Sequence, residues 1–108
     1  MKSIIVASTP DLPGREIEST LGLVRGSTIR ARNIGRDIGA MLKSIVGGEI
    51  KDYTKLLADA REEALSRMKK DAEKLGADAV INLRFTTSTV MQTTSEILAY
   101  GTAVKLKE

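Results

Sequence analysis

The segment from Asp52 to Leu75 constrains this chain more than any other. Leu57, Ala60, Ala64, Met68, Ala72 and Leu75 recur at three- and four-residue spacing, so they share one face of an α-helix. Asp52 is placed to cap its start and Gly76 to end it. The stripe uses Ala heavily, which lets whatever packs against it approach closely. The opposite face carries Glu63–Arg67, Arg67–Asp71 and Lys69–Glu73 at i,i+4 spacing and reads as a solvated face. A helix with one apolar face needs a second layer to cover it, and the flanking segments read as strands.

Ile4-Ile5-Val6-Ala7-Ser8 is a short apolar strand, ended by Thr9-Pro10-Asp11-Leu12-Pro13-Gly14, which holds both prolines of the chain. From Ile17 to Ala31 the pattern is again β-like. Within it Arg25-Gly26-Ser27 reads as a turn or bulge. The alternation after it sets Ile29 and Ala31 on one side and Thr28, Arg30 and Arg32 on the other. Ile38, Met41, Leu42 and Ile45 describe a short helix with Asn33 or Gly35 as its cap and Gly47-Gly48 at its end. Asp78 to Thr89 is a long strand candidate, with Ala79, Ile81, Leu83 and Phe85 on one side and Val80, Asn82, Arg84 and Thr86 on the other. Val90 to Thr93 connects it to a last strand, Thr94 to Leu106.

That last strand is apolar on both faces. Leu98, Tyr100, Val104 and Leu106 share one, and Ile97, Ala99, Gly101 and Ala103 the other. A strand of this kind is covered on both sides. One long and one short helix do not supply two covers, which points to burial against another copy of the chain. The expected architecture is a single α+β domain spanning residues 1–108. An antiparallel sheet of about four strands carries one short and one long helix, in the order β-β-α-α-β-β.

Composition removes several kinds of chemistry. The chain has no Cys and no His. Disulfides, Ser–His and Cys–His nucleophiles, and the preferred ligands of zinc and softer metals are therefore all absent. Its 14 carboxylates form no calcium-loop pattern, and Gly47-Gly48-Glu49 lacks the Lys-Ser/Thr that a phosphate loop requires. No catalytic residue, metal ligand or cofactor is assigned, and the chain is expected not to be an enzyme. No apolar run approaches the roughly 20 residues of a membrane span, so the expectation is a cytoplasmic protein without a membrane partner. With Phe85, Tyr53 and Tyr100 as its only aromatics and a net charge of +3, it offers no stacking platform for nucleic acid.

One charge feature stands out. Between Ser19 and Arg36 there is no acidic residue, while Arg25, Arg30, Arg32 and Arg36 are all cationic. Arg30, Arg32 and Arg36 form a candidate anion or interface site, the first two from one strand face and the third at a helix start. The same arginines also suit an edge strand protected by charge, or subunit contacts to acidic groups.

Several stretches, in order, resemble the YbjQ-like family of small uncharacterised proteins. They are Ala31-Arg32-Asn33-Ile34-Gly35-Arg36-Asp37-Ile38, Ile45-Val46-Gly47-Gly48-Glu49, Tyr53 to Arg61, Leu75-Gly76-Ala77-Asp78-Ala79-Val80-Ile81 and Tyr100-Gly101-Thr102-Ala103-Val104. The resemblance covers nearly the whole chain. It implies a dodecin-like subunit with helices on an antiparallel sheet, and a ring-shaped homopentamer in which extra strand pairing joins subunits. The family is labelled heavy-metal-binding, and the resemblance brings no agreed catalytic residue with it. Met41, Met68 and Met91 offer thioethers, but Met41 and Met68 sit on core stripes. The function expected from residues and resemblance together is a non-enzymatic homo-oligomer that binds a small ligand or anion, with metal binding as the alternative.

Overall fold

The computed structural model describes residues 3–30, 51–91 and 94–108. They form β1 (Ile5–Val6), β2 (Ile17–Arg30), α1 (Lys51–Lys74), β3 (Ala79–Met91) and β4 (Thr94–Leu106). The strands make one sheet in the order β1-β3-β4-β2, with β4 antiparallel to both β3 and β2. The α+β class holds, but two details of the expected architecture are corrected. The sheet is mixed, because β1 runs parallel to β3. After β1 the chain turns through Leu12-Pro13-Gly14-Arg15, where the Arg15 amide donates to the Leu12 carbonyl at 3.0 Å, and β2 starts at the opposite edge of the sheet. Two consecutive strands that never meet cannot form a hairpin, so β1 takes its partner from the far side of the helical crossover. The described order is β-β-α-β-β with one helix, not β-β-α-α-β-β. The expected short helix lies outside the described residues.

The helix ends as its sequence dictates. Gly76 takes φ 77°, its amide donates to the Glu73 carbonyl, and the Ala77 amide reaches back to Ala72. This is a glycine-terminated Schellman arrangement. On the buried face Ala60, Ala64, Met68 and Ala72 are fully covered and meet Val24, Val80, Ile97, Ala99 and Ala103 from the sheet.

Gly26 explains the alanines. It is not a turn or bulge but an interior residue of β2, paired with Ala99. A Cβ at Gly26 would overlap the backbone of α1 at the Ala64 carbonyl, Arg67 and the Met68 amide. The helix therefore rests on the strand's main chain. The irregularities of β2 fall earlier, between Ile17 and Ser19 and between Thr20 and Gly22.

This placement also decides which of Thr28 and Ile29 is buried. Val24, Gly26 and Thr28 face the helix, and Thr28 is 2% exposed. Leu23 and Ile29 point away from it and are exposed. In β3 the simple alternation fails at a bulge. Ile81 pairs with Thr102 and Arg84 with Tyr100, so three steps on β3 answer two on β4, and Asn82 adopts φ 55°. As a result Val80 and Leu83 both pack toward the helix, while Ala79 and Ile81 lie on the outer face.

The outer face of β4 has its own cover at one end. Val104 and Leu106 are buried with Ala79 and Ile81 against Leu12 and Ile17 of the same chain. The double apolarity of this stretch is thus met within the chain. Leu98 and Tyr100, further along that face, are half-buried.

Candidate functional site

Where α1 crosses β2, helix side chains reach the outer edge of the strand. Arg67 donates from Nη1 to the Ser27 carbonyl at 2.5 Å, and the Asp71 carboxylate accepts the Arg25 amide at 3.1 Å. Arg67 also pairs with Glu63 through Nη2. The row Glu63, Arg67, Asp71 was expected to be a solvated ladder of i,i+4 ion pairs. It forms the first pair, but its second half turns to the strand. The edge of a sheet offers unpaired amides and carbonyls, and these side chains satisfy one of each.

Beside this contact is a cleft of about 360 Å³ lined by Arg25, Arg67, Lys70, Asp71 and Lys74. Four of the five are cationic. Lys70 and Lys74 are one helical turn apart, and Arg25 comes from the strand. Arg67 and Asp71 are engaged as described, whereas Arg25, Lys70 and Lys74 have no ion-pair partner among the described residues. Such a lining suits an anion and repels a cation.

A second cleft, about 370 Å³, is lined by Arg15, Glu18, Asp78, Lys105, Leu106, Lys107 and Glu108. Its charges balance in sign. Asp78 is 7% exposed and accepts the Leu106 amide at 2.9 Å, which makes it a structural acceptor that ties the start of β3 to the end of β4.

Of the expected anion-site residues, Arg30 ends β2 opposite Ser95. Arg32 and Arg36 lie outside the described residues. Arg25 belongs to the same acid-free run and borders a cleft. Lys70 and Lys74 were visible only as surface charges, and nothing local in the sequence marks them as neighbours of Arg25.

The donors of this chain do not fit a soft metal. It contains neither Cys nor His, and among the described residues no three carboxylates converge. Met68 is fully buried beneath Gly26 in the core. Nor is any helix among the described residues long and apolar enough to cross a membrane.

These features define a small α+β protein with a charged cleft and no catalytic constellation among its described residues. Residues 4–107 match the family described as "Putative heavy-metal-binding", and the chain belongs to this YbjQ family. A UPF0145 protein of Archaeoglobus fulgidus is 58% identical over 98% of both chains. Another, from Thermotoga maritima, is 51% identical over 97% of this chain and 99% of its own. Neither bears an enzymatic name. The fold is similar to the crystal structure of a protein with unknown function, of the DUF74 family, from Pediococcus pentosaceus. That likeness has a TM-score of 0.64 at 18% identity and covers 96% of this chain and 98% of the other.

Proposed function

We propose that the chain is a non-enzymatic cytoplasmic module that assembles with copies of itself, as a homopentamer, and binds a small anionic ligand. The edge of β3 that is unpaired among the described residues carries the assembly reading. β1 pairs with Ala79 and Val80 only, and Ala7 and Thr9 extend the contact to the amides of Leu83 and Asn82. Beyond them, among the described residues, no strand pairs with that side of Phe85 to Met91. Phe85-Thr86-Thr87-Ser88-Thr89 contains no charge and no proline, and its Phe and Thr favour strands. An edge without charge, proline or cover accepts another strand. The family resemblance supplies the pentamer and the use of strand pairing to form it.

The arginine-rich segment supports the anion. Arg30, Arg32 and Arg36 are its proposed contacts, and the acid-free run around them leaves their charge uncompensated in sequence. Native mass spectrometry of the purified protein tests both parts at once. The expected result is a pentamer mass with a retained anionic species that is lost in Arg30→Ala/Arg32→Ala. A monomer rejects the assembly; an assembly whose anion binding is unchanged by the double substitution rejects that contact set.

The family's description favours a second reading, a metal-binding protein. Carboxylates, amides and carbonyls are the donors available, and they suit hard cations such as Mg²⁺ or Ca²⁺. Elemental analysis of protein purified without added metal decides this. Stoichiometric metal supports it, and none, with no uptake on titration, removes it.

A further inference from the structure

Three cationic residues with no ion-pair partner among the described residues border one cleft. Lys70 and Lys74 line it from α1 and Arg25 from β2. Like charges at i,i+4 oppose each other and destabilise a helix by roughly 0.2–0.5 kcal/mol. A third cationic residue, Arg25 of β2, borders the same cleft, where its main-chain amide meets Asp71. The one carboxylate of the lining, Asp71, offsets only one of its four cations. Asp71 is held by the Arg25 amide, and Glu63 by Arg67.

The lining defines the ligand by elimination. All five described lining residues are charged, so an uncharged ligand would cover these cations without compensating them. One carboxylate among four cations excludes a metal ion. The cleft, about 360 Å³, is at the small end of the ~300–1,000 Å³ typical of ligand sites, and no aromatic side chain lines it for a base to stack on. A compact anion with several charges remains, with oxygens for the two ammonium groups and the guanidinium to approach as charge-assisted donors.

We propose that the cleft between β2 and the C-terminal half of α1 binds a small phosphate-bearing anion, held by Arg25, Lys70 and Lys74. This rests on the anion-binding reading above and adds to it Arg25, Lys70 and Lys74 as contacts.

The test is isothermal titration of the full chain with sodium tripolyphosphate at low salt. It is run on wild type, Lys70→Gln/Lys74→Gln, Arg30→Ala/Arg32→Ala, and Lys105→Gln/Lys107→Gln as a control with the same change in charge. Glutamine keeps the helix propensity of lysine, so thermal melting of the helix variant should stay at or above wild type. Wild type is expected to bind saturably. The helix variant should lose about tenfold or more in affinity, the size of one lost hydrogen bond to a charged group. The control should change little. Equal loss in control and helix variant means diffuse attraction by net charge and overturns the site. Loss only in Arg30→Ala/Arg32→Ala overturns it while preserving the anion reading. No binding by wild type overturns both.

Discussion

The Asp71 carboxylate accepts the main-chain amide of Arg25 at 3.1 Å, across the outer edge of β2. One turn earlier Arg67 donates to the Ser27 carbonyl, so two helix side chains stand in for part of a neighbouring strand. The edge they cover is one of two. The other, along β3 from Phe85 to Met91, has no such cover among the described residues. The two edges of the sheet are thus chemically different, as a head-to-tail assembly requires.

Removing the cover should open the edge. Asp71→Ala is expected to cost about 0.5–1.5 kcal/mol, the net worth of one hydrogen bond, and to increase aggregation on heating. Asp71→Asn keeps an acceptor and should recover most of the loss. Thermal melting with light scattering measures both effects, and an unchanged Asp71→Ala protein would show that this contact contributes nothing.

Gly26→Ala should be among the most damaging single-methyl changes in the chain. The new Cβ meets the main chain of α1 at Ala64 and Met68, which cannot rotate aside as a side chain can. Overpacking of this kind costs about 1–3 kcal/mol or more. Urea denaturation should show a lower midpoint at unchanged slope.

Asp78 is a buried acceptor for the Leu106 amide. Asp78→Ala leaves that amide without its partner, at a cost of about 1–3 kcal/mol. Hydrogen exchange at Leu106 should accelerate more than at residues in the middle of β4, which separates loss of this bond from general destabilisation.

Thr28 is buried, and its hydroxyl has no partner among the described residues. Thr28→Val keeps the shape and removes the unsatisfied group, so it should stabilise the fold by about 1 kcal/mol. A lower urea midpoint for the valine variant would mean that the hydroxyl is satisfied in the native protein.

The elements whose signal is local were legible in the sequence. Gly76 gave the C-terminal end of α1 to within one residue, whereas Asp52, read as its cap, lies inside the helix; alternating apolar residues bounded β4 as Thr94–Leu106. What was illegible depends on contacts distant in sequence. A glycine in a strand looks the same whether it marks a turn or a helix resting on it, so Gly26 was misread. Period-two alternation separates Thr28 from Ile29 without saying which of them the helix covers. The Asn82 bulge reverses faces within β3 with no glycine or proline to announce it. The candidate cleft was half visible. Arg25 stood out in an acid-free run, but its meeting with Lys70 and Lys74 follows from α1 running opposite to β2, which no local pattern encodes.

Sedimentation velocity across micromolar concentrations tests the proposed assembly most directly. The uncharged β3 edge, unpaired among the described residues, and the family resemblance predict a species about five times the 11.7 kDa chain mass that persists on dilution. A single species at the mass of one chain throughout that range would contradict it.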